Sequence, residues 1–156
     1  MRALLVAALL AATAHAEPPA PTGGELLRKY AGSDDTDALL REPAIRSELA
    51  PLLGSELEHF ERNLFVRGSV DVVSGSLSLS GNAPHGGTEE EAVLCVATYG
   101  GAVSAAILSG GAITVYSRTP DYGAQTRCIK DWITQANSGH RDRFERPANV
   151  RLAAPR

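Results

Sequence analysis

Apolar residues recur at helical spacing through the first part of the chain and at alternate positions after about residue 66. Ile45, Leu49, Leu52 and Leu53 mark a helix that opens near Pro43, a residue favoured in the first turn, and is disturbed at its end by Pro51 and Gly54. Ser55 with Glu58 three residues on has the capping-box pattern and opens a second helix, whose stripe is Leu57, Phe60 and Leu64. The period then becomes two. Val66, Val70 and Val72 belong to a first strand, and Leu77 and Leu79 alternate with serines in a second. Ala92–Ala97 is continuously apolar, as a central strand would be. Val103, Ala105 and Ile107 form the next strand, followed by Ile113, Val115 and Tyr116. Gly75, Gly100-Gly101 and Gly110-Gly111 supply the turns, so the strands are joined as antiparallel hairpins. A last helix starts at Pro120-Asp121, presents Ile129, Trp132, Ile133 and Ala136 on one face, and closes over Asn137–Gly139.

The fold class expected from this order is α+β. It comprises an antiparallel sheet of about five strands, with N-terminal helices and a C-terminal helix packed on one face. One domain is expected over residues 34–139. A flexible Pro/Gly lead is expected over 17–33 and a loosely ordered basic tail over 140–156. Asp34–Asp37 reads as the start of a helix or a solvated turn, not as a metal site.

The first residues bear on compartment. Arg2 is followed by the apolar run Leu4–Leu10, and Ala14-His15-Ala16 fits the small-x-small cleavage rule. Residues 1–16 therefore read as a secretory signal, with Glu17 as the mature N-terminus and a periplasmic or secreted destination. The run is too short to span a bilayer, and no later segment approaches that length. Losing the leader removes Arg2 and no acid, so the formal charge moves from -3 to -4. A mildly acidic chain lacks the basic face that nucleic acid requires, and it suits a basic protein partner. Cys95 and Cys128 both lie in the mature part. An even count in an oxidising compartment favours one intramolecular disulfide, with two buried free thiols as the alternative. Neither cysteine has a nearby histidine, so no metal site is expected, and no cofactor motif is present.

Little in the chain is arranged for catalysis. It has no Gly-x-Ser-x-Gly elbow, no His-Glu-x-x-His and no phosphate-binding glycine loop ahead of a helix. Glu89-Glu90-Glu91 follows His85 closely, and a histidine beside a carboxylate can act as a general base. No nucleophile accompanies them, and charges at a strand start are commonly solvated, so the chain is read as a binding protein and not an enzyme. His59 neighbours a buried stripe and reads as a surface histidine. The polar feature that remains is Gly81-Asn82-Ala83-Pro84-His85-Gly86-Gly87, between the strand runs Ser76–Ser80 and Glu91–Thr98. Its glycines and proline place it in a loop with one imidazole at the tip. By spacing alone His85 reads as an ordinary loop histidine.

Ser80–Leu108 resembles the inhibitor of vertebrate lysozyme, the Ivy family, in the order of loop, apolar strand, Gly-Gly turn and second strand. Asn82-Ala83-Pro84-His85-Gly86-Gly87 stands where that family carries a protruding Cys-Lys-Pro-His-Asp-Cys loop. The resemblance implies that Asn82, Ala83, Pro84, His85, Gly86 and Gly87 contact a partner, lysozyme or a related basic glycosidase. His85 would then enter the cleft between its two acidic groups, with Pro84 fixing the backbone that leads into the tip. The departures are plain: the two loop cysteines are Asn82 and Gly87 here, the lysine is Ala83 and the aspartate is Gly86. Without the cysteine clamp the loop is expected to be ordered only on binding, at a cost in affinity. An exported binding or structural module of another target, without lysozyme inhibition, is the alternative.

Overall fold

The computed structural model describes residues 22–137 and 145–153. The proposed leader 1–16 and the ends of the proposed tail, 140–144 and 154–156, lie outside the described residues. The described chain is α+β. Helices α1 (Gly23–Tyr30), α2 (Thr36–Arg41), α3 (Pro43–Leu53) and α4 (Leu57–Asn63) precede the sheet. Strands β1 (Val66–Arg67), β2 (Asp71–Val73), β3 (Ser76–Asn82), β4 (Glu90–Ala97), β5 (Val103–Ser109) and β6 (Ala112–Tyr116) follow. Helix α5 (Arg127–Ala136) and strand β7 (Val150–Leu152) complete the order.

Among the described residues seven strands are present where about five are expected. The sheet runs β1-β3-β4-β5-β6-β7, and β2 also pairs with β3. The pairings are antiparallel except β6 with β7, which is parallel. The single strand expected over Val66–Val72 is two: β1 pairs with the Gly81–Asn82 end of β3 and β2 with its Ser76–Ser78 end. Val70, fully buried, lies between them.

The helices do not share one face, as the sequence pattern suggests they should. Leu77, Leu79, Ala92, Leu94, Val96, Val103, Ala105 and Ile107 point into a core closed by α1 to α4, around Leu39, Ile45, Leu49 and Phe60. Val93, Cys95, Ala106, Leu108, Ile113 and Val115 point the other way, against Ile129, Trp132 and Ile133 of α5. Successive strand side chains alternate faces, so the unbroken apolar run of β4 requires cover on both. The N-terminal helices cover one side and α5 the other. Cys95 and Cys128 are joined in a disulfide, which ties β4 to α5 across the second core.

Local chemistry explains the other departures. Residues 23–30, within the expected flexible lead, form α1 because Thr22 and Glu25 make a reciprocal capping box and Leu26 and Tyr30 are buried. The box expected at Ser55 and Glu58 does not form. A 3-10 turn over Gly54–Glu56 carries α3 almost directly into α4, and the Leu57 N–H already donates to the Gly54 carbonyl. Asp35, within the acidic cluster, caps α2 through Ala38 N–H (3.0 Å). The last helix starts at Arg127 and not at Pro120, with Thr126 as its cap. The loop before it is held by the Gln125 side-chain amide, which donates to the carbonyls of Thr119 (2.7 Å) and Asp121 (3.1 Å). Val150–Leu152, inside the expected tail, adds to the sheet edge at β6.

Candidate functional site

The β3–β4 connection carries the candidate loop, and it begins later than the sequence pattern suggests. Gly81 and Asn82 lie inside β3, paired with Ala92 and Glu91 on one side and with Arg67 and Val66 on the other. Gly81 therefore does not break the strand. It is glycine because the paired β1 approaches closely: a Cβ there would stand 2.6 Å from the Val66 carbonyl oxygen. Asn82 closes the strand, and the connecting loop runs over Ala83–Glu89.

Two consecutive turns build that loop. The Gly86 N–H donates to the Ala83 carbonyl (2.9 Å), closing Ala83-Pro84-His85-Gly86, and the Glu89 N–H donates to the Gly86 carbonyl (3.0 Å). Pro84 sits second in the first turn, where its fixed φ fits, and His85 third, at φ +61°. That is a left-handed conformation, normally left to glycine and occasionally adopted by Asn, Asp or His. Pro84 and His85 are both exposed. The His85 side chain has no hydrogen bond or ion pair among the described residues.

The base of the loop is tied down by polar contacts and not by cysteines. The Ala83 N–H donates to the Glu90 carbonyl (2.9 Å), and the Asn82 side-chain amide donates to the Ala83 carbonyl (2.9 Å). Ala83 is buried. A Cβ on Gly86 would lie 3.0 Å from the Cβ atoms of both Ala83 and Glu90, so the turn folds back tightly on its own base. The six residues expected to meet a partner thus divide. Pro84, His85, Gly86 and Gly87 form the tip, whereas Asn82 and Ala83 anchor it.

Beneath the loop lies a polar cluster that the sequence did not reveal. Glu90 Oε2 is 3.0 Å from His59 Nε2 and accepts from the Asn63 amide at 3.0 Å, while Oε1 accepts from the Ser109 hydroxyl at 2.6 Å. His59 Nδ1 lies 3.3 Å from Glu56 Oε2. His59 is therefore half-buried and held between two carboxylates, not a free surface histidine. Of the three glutamates expected to be solvated, Glu90 is a fastening point shared by α4, β4 and β5. The only sequence signal was the helical spacing of His59 and Asn63, four residues apart on α4.

Burial alone would raise the Glu90 carboxyl, but hydrogen bonds from His59, Ser109 and Asn63 outweigh it and bring the pKa down from 4.5 to about 2. A carboxylate with a depressed folded pKa stabilises the fold above its unfolded pKa, and that stability is lost as pH falls through the folded one. Glu90→Gln should therefore melt below wild type at pH 7, and the gap should close between pH 4.5 and about 2. A gap that stays constant across that window in melting curves would contradict this assignment. His59→Ala should cost about 1–2 kcal/mol of stability, the size of a hydrogen bond to a charged group.

Among the described residues no group of three or more His, Cys, Asp or Glu is placed to hold a metal ion, and no helix is long and apolar enough to cross a membrane. No curated protein and no solved structure matches the chain. A family model does: that of Ivy, inhibitor of vertebrate lysozyme, over residues 44–139. The match runs from α3 through the loop, the Glu90 cluster and the disulfide to the end of α5. It takes in well over half of the 156 residues, and the chain belongs to the Ivy family of inhibitors of vertebrate lysozyme.

Proposed function

We propose that this chain is an exported inhibitor that places His85 in the catalytic cleft of a lysozyme, between the two carboxyl groups that cleave the glycosidic bond. The observation that carries the reading is the exposed imidazole, without a hydrogen bond or ion pair among the described residues and held in left-handed backbone at the tip of a protruding hairpin in a member of this family. Backbone strain of this kind costs of order 1–3 kcal/mol and concentrates at functional sites. The chemistry is complementary. A retaining glycosidase carries its two carboxyl groups about 5 Å apart, one as the acid and one ionised. A neutral imidazole has one donor and one acceptor nitrogen, and so can accept from the acid while donating to the carboxylate. Substrate is excluded by occupation of the centre.

The missing cysteine clamp does not leave the loop without support in this reading. The Asn82 amide, the Ala83–Glu90 bond and the packing of Gly86 take over its task of holding the tip, which reduces the ordering cost of binding. The leader pattern at residues 1–16 supports export, and the Cys95–Cys128 bond is at home in an oxidising compartment.

The test is inhibition of cell-wall lysis by the purified chain from Glu17 onward, against lysozymes of several classes. Inhibition of at least one class at micromolar concentration or below is expected. If the wild-type chain binds none of them at micromolar concentration, the reading fails, and the protein is an exported binding module for another target.

A further inference from the structure

A groove of about 700 Å³ opens beside the loop, on the face of the sheet that carries α5. Its floor is the end of the sheet, with Val66, Asn82 and Glu91, and its wall is the end of α5, with Trp132 and Ala136. Thr88 of the loop stands at its rim. Three features point to an occupant. Asn82 and Thr88, at the two ends of the hairpin tip, also line the groove, so anything seated on the tip meets it. Glu91 is partly buried, and burial pushes its carboxyl up. Its carboxylate has no hydrogen bond or ion pair among the described residues. Arg67, which also lines the groove, does not neutralise it, because its guanidinium is committed to Thr36 Oγ1, the Leu64 carbonyl and Asp37. Finally, Val66, which lines the groove, is 51% exposed, an apolar surface that water covers poorly.

We infer that this groove is a second anchor for the enzyme that takes His85, receiving a lysine or arginine side chain with its aliphatic stem on Val66 and Trp132 and its cationic head on Glu91. The inference rests on the inhibitor reading and adds a second point of contact to it. Long cationic side chains lie along apolar surface and keep the charged end on an acceptor. A carboxylate already part-desolvated and unpaired gains more from a cation than a solvated one does. The net negative charge of the chain agrees in sign with a basic partner. Two anchors also fix orientation, which a single imidazole cannot do.

The experiment is titration of a vertebrate lysozyme with wild-type chain, Glu91→Gln, Glu91→Lys, Val66→Ser and His85→Asn, at low and at moderate salt. Glu91→Gln should weaken binding about 5- to 10-fold at low salt and flatten the salt dependence, and Glu91→Lys should weaken it about 100-fold. Val66→Ser should lose about 3- to 10-fold with the salt dependence unchanged. The Glu91 side chain has no hydrogen bond or ion pair among the described residues, so melting temperatures near wild type are expected of the Glu91 variants; melting curves of every variant separate lost binding from lost fold. If both Glu91 variants bind within twofold of wild type while His85→Asn binds weakly, the second anchor is overturned and the inhibitor reading stands. If the wild-type chain binds no lysozyme, both are overturned. Binding of a chito-oligosaccharide by the chain alone, lost in Glu91→Gln, would overturn the cation site in favour of a sugar site.

Discussion

Replacing both Cys95 and Cys128 by alanine should lower stability by about 3–4 kcal/mol, while leaving any inhibition by the folded protein nearly unchanged. The bond closes a segment with a sequence separation of 33, and loop-closure entropy alone gives that size. Both cysteines are 1% exposed, so truncation also removes packed sulfur from the core between β4 and α5. For a domain of this length the melting temperature should fall by roughly 10–15 °C. Inhibition should survive at temperatures well below the new midpoint. The loop is held by Asn82, Ala83 and Gly86 at the end of β3, and none of those contacts uses the disulfide. Calorimetry with and without reductant measures the first part, and mass mapping of the unreduced protein checks the bond itself. Two freely alkylated thiols in folded protein would refute it.

His85→Ala should weaken inhibition by about 1–3 kcal/mol, or about 5- to 150-fold, as expected for the loss of hydrogen bonds to a charged group. The backbone at His85 makes the control sharper than alanine alone. At φ +61°, alanine is strained as histidine is, glycine is not, and asparagine tolerates the conformation better than most residues. His85→Asn and His85→Gly should fold at least as stably as His85→Ala, with glycine ahead of alanine by about 1 kcal/mol. Both should lose the same inhibition, because neither carries an imidazole. His59→Ala provides the opposite case, with stability reduced and inhibition by folded protein kept, since His59 lies beneath the loop and not at its tip. If wild type inhibits and His85→Ala inhibits equally, family membership is untouched, but the imidazole between two carboxyl groups is not the mechanism.

Much of this arrangement was legible in the residues because it depends on local rules. The alternation of Leu77 and Leu79 with serines, the unbroken apolar run at Ala92–Ala97 and the paired glycines located β3 to β6 and their hairpins. Pro84-His85 between glycines located the tip. What was not legible depends on contacts distant in sequence. Gly81 reads as a strand breaker until β1 is seen paired closely against it. His59 reads as surface until Glu90 arrives from 31 residues away. The cover on the second face of β4 could not be assigned from an apolar run that is silent about which helix lies where. The Thr22–Glu25 box was readable, but the prolines before it and the Gly23-Gly24 pair inside it masked it. The groove at Glu91 has no sequence signature, because β1, β3, β4 and α5 each contribute only one to three residues.

The two-sided burial of β4 also bears on the chain before it has folded. Until the helices dock on either side, Ala92–Ala97 is a six-residue window with no charge, no proline and no glycine, the composition from which stacked cross-β assemblies grow. Immediately ahead of it stand Glu89, Glu90 and Glu91. In any in-register stack of nascent chains these carboxylates would lie one above another at the strand spacing of about 4.8 Å, and their mutual repulsion opposes growth. The same three residues that frame the loop in the folded protein thus guard its most sticky strand during folding.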